Sequence, residues 1–271
     1  MRKLLFFAVF GCFCINLYSQ LDYKLSDMDI KGSVSFMTEK EFQVKGADYS
    51  LQTEIRRSAF AFNKNGCKIE EEYSTPEGEV AYQGVFKYSE NGNIVEEKIS
   101  NFEVGENFIK TYDIGKSAIS VNIQEGSAQP TLLAKYIIDS KNNVTKRTDY
   151  NNSGGTFRVL DYLYDASGKI TSETQQMPGS EKLTFKYLYN SKGQLEKKQE
   201  VNNTGAVTYT QSYTYDEKGS IATETSFYVD DPQKLLISYK YIYDDKGNWI
   251  EKQEYMDGNL FSVVKREIAY F

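Results

Sequence analysis

The chain has 271 residues, 32 basic against 38 acidic side chains, 22 tyrosines and no histidine. The missing imidazole excludes Ser-His, Cys-His and His-metal catalysis, since each needs that group as base or ligand. A net charge of −6 argues against nucleic acid as a partner, because a basic surface supplies most of the affinity for phosphate backbones.

Met1, Arg2 and Lys3 precede an apolar run from Leu4 to Ile15, which Asn16 and Ser19 end. A membrane-spanning helix needs about 20 apolar residues, so this shorter run reads as a cleaved export signal. Leu17 and Ser19 place the cleavage before Gln20, giving a signal peptide over 1–19 and one mature domain over 20–271. Lipidation of Cys12 is the competing reading, and bulky Phe10 disfavours it. Cleavage leaves Cys67 as the sole thiol, so packing and sheet hydrogen bonds must hold the fold without an internal disulfide. The expected location is the periplasm, the cell surface or the medium.

From there on the chain repeats. The units run Phe60-Ala-Phe62-Asn63-Lys-Asn-Gly66, then Phe86-Lys-Tyr88-Ser89-Glu-Asn-Gly92, a degenerate Tyr112-Asp113-Ile114-Gly115, and Tyr136-Ile-Ile138-Asp139-Ser-Lys-Asn142. They continue as Tyr162-Leu-Tyr164-Asp165-Ala-Ser-Gly168, Tyr187-Leu-Tyr189-Asn190-Ser-Lys-Gly193, Tyr213-Thr-Tyr215-Asp216-Glu-Lys-Gly219 and Tyr241-Ile-Tyr243-Asp244-Asp-Lys-Gly247. Two residues after the glycine comes an apolar side chain: Ile94, Val144, Ile170, Leu195, Ile221 or Trp249. Each unit reads as a β-hairpin. Asp or Asn caps a type I turn, and Gly or Asn takes the left-handed position that closes it with a bulge. That geometry sets Tyr88 opposite Ile94, Ile138 opposite Val144, Tyr164 opposite Ile170, Tyr189 opposite Leu195, Tyr215 opposite Ile221, and Tyr243 opposite Trp249. Such pairs contribute roughly 0.2–1 kcal/mol each and fix register.

A second set of breakers, among them Pro76-Glu-Gly78, Asn202-Asn-Thr-Gly205 and Asp257-Gly258, reverses the chain between units, and all four prolines fall in such stretches. No helical periodicity survives. The predicted fold is all-β: a long antiparallel meander of about 16 strands, two per unit, curled into an open shell or a barrel-like sheet, with the open form favoured. A lipid-embedded barrel is disfavoured because alternate residues before Phe271 include Lys265 and Glu267, and arm segments such as Glu196-Lys-Lys-Gln-Glu200 are charged on both faces.

The pattern Tyr-x-Tyr-Asp-x-x-Gly-x-Ile/Leu resembles the YD repeat, also called the RHS repeat, of bacterial secreted and surface proteins. The tail from Tyr243 to Glu251 with Arg266 to Phe271 is similar to the ends of small exported Bacteroidetes proteins that carry it. The resemblance implies a β-shell scaffold or binding surface, in some members for carbohydrate. The self-cleaving core and toxin tip of the large members have no counterpart here.

The tyrosines nearest each turn are expected to be core. The outer set, Tyr162, Tyr187, Tyr213 and Tyr241 with Phe86, is expected to be half-buried, facing Ser172, Lys197, Thr223, Glu251 and Glu96. Together with Trp249, those four tyrosines are the candidate binding residues, since a ring with a hydroxyl suits a pyranose. The recurring Asp139, Asp165, Asp216 and Asp244 read as turn caps rather than calcium ligands, which come in denser clusters. No cofactor or metal is implied. The expected function is a non-catalytic exported module that binds a glycan or an envelope protein. A structural module acting through its sheet edges is the alternative, and a carboxylate-dependent glycan-active enzyme is a third, less favoured reading.

Overall fold

The structure is a computed structural model that describes residues 28, 30–45, 51–231 and 233–271, and the statements below concern these. The predicted signal peptide over 1–19, Cys12 and Pro232 lie outside the described residues.

Eighteen strands follow in chain order: β1 (Val34–Lys45), β2 (Leu51–Phe62), β3 (Lys68–Ser74), β4 (Val80–Tyr88), β5 (Ile94–Asn101), β6 (Glu106–Ile114), β7 (Ala118–Glu125), β8 (Thr131–Ile138) and β9 (Val144–Tyr150). The second half comprises β10 (Thr156–Tyr164), β11 (Ile170–Gln176), β12 (Leu183–Tyr189), β13 (Leu195–Val201), β14 (Val207–Tyr215), β15 (Ile221–Tyr228), β16 (Leu235–Tyr243), β17 (Trp249–Met256) and β18 (Asn259–Tyr270). Every strand pairs antiparallel with its chain neighbours, and β18 pairs with β1. The all-β meander predicted from the repeats is therefore present, but it closes, and it has eighteen strands where about sixteen were expected. Closure removes the sheet edges on which an edge-mediated assembly module would depend.

The two additional strands belong to a ninth unit divided between the chain ends. Ile268-Ala269-Tyr270 supplies its first strand, and Lys31-Gly32-Ser33-Val34 supplies the second half of its turn, matching Lys218-Gly219-Ser220-Ile221. Tyr270 faces Val34 with a bulge just beyond, as Tyr215 faces Ile221. Gly32 has φ +85° and Gly219 φ +92°, the left-handed region that glycine enters without penalty. Asn248 seals this junction. It is 1% exposed, its Nδ2 donates to Lys31 O (2.9 Å) and Tyr270 Oη (2.7 Å), and its Oδ1 accepts from Lys31 N (2.6 Å).

The turns form as the spacing dictates. In the Asp244 turn one carboxylate oxygen accepts from Lys246 N (3.0 Å) and Asn248 N (2.8 Å), and Gly247 N donates to Asp244 O (3.1 Å). Asn142 takes the glycine position of its own unit with φ +63°. All six predicted cross-strand pairs are present.

Successive units are held together by phenols. Main-chain pairing between β11 and β12 stops at Ser172↔Lys186, short of the turn rim, and Tyr189 Oη closes the gap by donating to Ile170 O (2.8 Å). Tyr88 to Lys68 O (2.7 Å), Tyr164 to Val144 O (2.6 Å) and Tyr215 to Leu195 O (2.7 Å) repeat the contact. From Ile221 to Tyr243 the chain runs 22 residues, against 19 or 20 between the partners above, and there the bond slides by two residues, so that Tyr241 donates to Ile221 O (2.9 Å) while Tyr243 reaches the Asp216 carboxylate (2.6 Å).

Asn248→Ala leaves buried polar groups without partners and is expected to lower unfolding stability by about 1–3 kcal/mol. Gln194→Ala, at the same motif position but with its side chain bonded only to Gly219 O at 3.4 Å and to Asn190 Nδ2 of its own turn at 3.1 Å, is expected to cost less. Urea denaturation midpoints at constant slope check both.

Candidate functional site

A closed single-layer sheet buries side chains only on its inside, so the buried residues line an inner wall. About eighteen strands spaced ~4.8 Å and tilted ~40° enclose roughly 35 Å between backbones if the section is round. The composition of this wall follows from the bulge. Each turn pairs the second tyrosine with the apolar residue, then skips one residue on the returning strand: Leu163 faces Ser172 and Tyr164 faces Ile170. The next inward tyrosine therefore meets the residue three positions after the apolar one. Tyr162 pairs with Glu173, Tyr187 with Lys198, Tyr213 with Glu224, Tyr241 with Lys252, Tyr136 with Arg147 and Phe86 with Glu97.

This displaces the partners expected from sequence by one residue, and with them the expected half-burial. Tyr162 and Tyr187 are 5% exposed and Tyr213 9%, whereas the turn-proximal Tyr164, Tyr189 and Tyr215 are only partly buried. Rings and charges alternate along the wall. Tyr187 Oη donates to Glu173 (3.3 Å), and the Lys198 ammonium lies 5.7 Å from the Tyr187 ring and 4.6 Å from that of Phe185. Glu97 accepts from Lys110 (3.0 Å) and Tyr112 (3.0 Å), and Asp149 is held by Arg147 (2.6 Å) and Arg158 (2.7 Å). These charges were missed in the sequence reading. Their signal was a charged residue at the third position after the apolar one: Glu97, Arg147, Glu173, Lys198, Glu224 and Lys252.

Burial sets the acid–base behaviour of the wall. The Tyr162, Tyr187 and Tyr213 phenols stand well above the usual tyrosine range, first through burial and then through the neighbouring Glu173 or Glu224 carboxylate. Burial pushes Tyr164 up to about 12. Burial also raises Glu224, with Gln211 Nε2 donating to it at 2.7 Å, and lowers Lys198.

The remaining two candidates, Tyr241 and Trp249, come together on β16 and β17, with ring centroids 6.3 Å apart. Tyr239 stacks on Tyr241 at 6.4 Å and 24°, and Tyr243 follows at 5.8 Å, so the rings form a column. The Arg266 guanidinium lies 3.3 Å from the Trp249 ring centroid and bonds Glu39 at 2.7 Å. Lys252 bonds Glu254 at 2.6 Å beside Trp249. Tyr239, Tyr241, Tyr243 and Trp249 are partly exposed. The structure thus separates the five candidates, three sealed into the wall and two joined in an aromatic column edged with charge.

Compared by sequence, the chain matches no family model and no curated protein. Compared by structure, it is similar to a porin-like protein from Bacteroides uniformis at 12% identity and TM-score 0.48, covering 87% of this chain and 97% of that one. A porin-like protein from Bacteroides vulgatus follows at 10% identity and TM-score 0.41, covering 70% and 94%. The Photorhabdus luminescens Tc holotoxin pore is similar over 77% of this chain but only 14% of its own, at 12% identity and TM-score 0.29.

Each raised phenol contributes stability that is full below the unfolded tyrosine pKa near 10 and is lost as pH rises toward the folded value. Alkaline titration is therefore expected to ionise the exposed tyrosines near pH 10. The wall tyrosines should follow only with cooperative unfolding, between about pH 10 and 12, read by phenolate absorbance together with near-ultraviolet circular dichroism. A single non-cooperative phenolate step near pH 10 with the fold intact would contradict the sealed wall.

Proposed function

We propose that this chain is an exported, non-catalytic barrel that serves as a binding or scaffold module of the cell envelope, taking a glycan against the aromatic column of Tyr239, Tyr241 and Trp249. The column carries the reading. Stacked ring faces suit the apolar face of a pyranose, and the polar edge formed by Lys252 and Glu254 suits its hydroxyls. The export signal over 1–19 supports the compartment. The absence of histidine, and a wall in which each acid repeats a unit position, support a non-catalytic role. Fluorescence of Trp249, the only tryptophan, is expected to change on titration with oligosaccharides, and Tyr239→Ala is expected to weaken the response at least tenfold. A flat response across a broad glycan panel would end the glycan reading.

The barrel is further proposed to sit in water. At mid-height its outer face carries Lys135, Lys146, Asp161, Lys186, Lys240 and Lys265, all exposed. A basic side chain at the bilayer midplane costs ~2–4 kcal/mol, so this belt opposes insertion. Among the described residues no helix is long and apolar enough to cross a membrane. The mature chain is expected to remain in the supernatant after cell disruption without detergent; resistance to carbonate extraction would point to a lipid-embedded barrel instead.

A further inference from the structure

The two ends of the barrel differ in chemistry. In an up-and-down barrel alternate connections lie at opposite ends, so the Asp-x-x-Gly turns share one rim and the intervening loops share the other. The turn rim carries Lys64, Lys141, Lys192, Lys218 and Lys246 mixed with the exposed acids Glu90, Asp165, Glu217 and Asp245, and none of its turns bears an exposed large apolar side chain. The loop rim is different. Its neighbouring connections over residues 75–79 and 102–105, with their flanks, carry exposed Glu77, Glu79, Glu103 and Glu106. Apolar side chains stand close to these acids: Phe102 is 55% exposed, Val104 61% and, on β2, Ile55 47%. A cleft of about 440 Å³ opens at the same place, lined among others by Ile55, Tyr73, Pro76, Tyr82, Glu103 and Arg56, whose guanidinium is paired with Glu41 at 3.1 Å.

Exposed apolar side chains gathered on one sector of the rim, beside these acids, mark an interaction surface rather than ordinary surface scatter. The sign of the neighbouring charges selects the partner. Like charges facing each other across an interface cost free energy, while opposite charges steer encounter and fix register. An anionic lipid surface or an acidic protein would be repelled by Glu77, Glu79, Glu103 and Glu106. We propose that the loop rim docks a basic amphipathic polypeptide segment, whose cations meet the acidic loops while an apolar side chain enters the cleft beside Tyr73 and Tyr82. This partner is independent of the glycan read from the aromatic column, which lies on β16 and β17 and is separated from the β2–β5 cleft by β18 and β1.

A synthetic Lys/Leu amphipathic peptide, titrated into the full mature protein and followed by calorimetry, tests it. The peptide is expected to bind and to weaken with added salt, since exposed charges are screened beyond ~10 Å at 0.1 M. The double change Glu77→Lys with Glu103→Lys, and separately Phe102→Ser with Val104→Ser, should each weaken binding about tenfold or more. Glu217→Lys with Asp245→Lys at the turn rim should leave it unchanged, and near-ultraviolet circular dichroism verifies that every variant is folded. No binding, equal loss from the turn-rim variant, or equal affinity for oligolysine without leucine would overturn the proposal. So would binding to phosphatidylcholine vesicles that Phe102→Ser with Val104→Ser abolishes, which would assign the rim to a lipid surface.

Discussion

One residue skipped after every turn determines what the rest of the molecule can be. Side chains alternate faces along a strand, so a slip of one exchanges inside for outside. In the Asp165 unit the skip falls at Thr171, which turns Glu173 inward against Tyr162 and leaves Ser172 on the outer face. Repetition of that skip in most units gives a wall of alternating rings and ionised groups. Without it, a tyrosine-rich sheet would present a purely aromatic face that water could not wet and neighbouring sheets would seek. The left-handed glycine, or Asn142 in its place, is what makes the skip possible, because the bulge requires that backbone geometry.

The inward charges also explain why the barrel closes rather than collapsing into a sandwich. Pairs such as Arg147–Asp149–Arg158 and Glu97–Lys110 are satisfied within or between adjacent strands, along the wall and not across it. Pressing two such walls together would strip water from charges that gain no new partner, a cost of several kcal/mol per ion. Local satisfaction therefore favours a curved wall. The phenol-to-carbonyl bonds supply the matching constraint at the rim, holding strands of successive units at a splay that one more hydrogen-bonded pair would flatten.

Much of this was legible in the sequence where the information is local. Asp244 and Gly247 are three residues apart, and their spacing alone specifies the turn and the Tyr243–Trp249 pair. The inward partners are not legible by counting in twos along each strand, which ignores the bulge and arrives at Ser172, Lys197 and Thr223 instead of Glu173, Lys198 and Glu224. Their recurrence at the third position after the apolar residue was present in the letters all the same. The ninth unit was hidden for a different reason. Its halves join through contacts such as Asn248 to Lys31, 217 residues apart, and neither half alone carries the full pattern. Strand count and closure thus depended on one long-range junction, which no periodicity within the chain could disclose.

The same local logic separates architecture from function among the candidate residues. Tyr162, Tyr187 and Tyr213 sit where the unit is regular, and regularity seals them: each ring is flanked by charges from the neighbouring strands, and its phenol is buried. Tyr241 and Trp249 sit where the regularity fails. The longer run from Ile221 to Tyr243 shifts the phenol bond by two residues, and β18 belongs to the divided unit, which brings Arg266 over Trp249 in place of another tyrosine. In the regular units the first tyrosine is sealed and the turn-proximal one is partly exposed, whereas at Tyr241, where the unit-to-unit fit is broken, the first tyrosine is partly exposed as well. Departures from the unit, whether this column or the unequal loops of the far rim, are thus where a ligand can find a surface that the barrel has not already used to hold itself together.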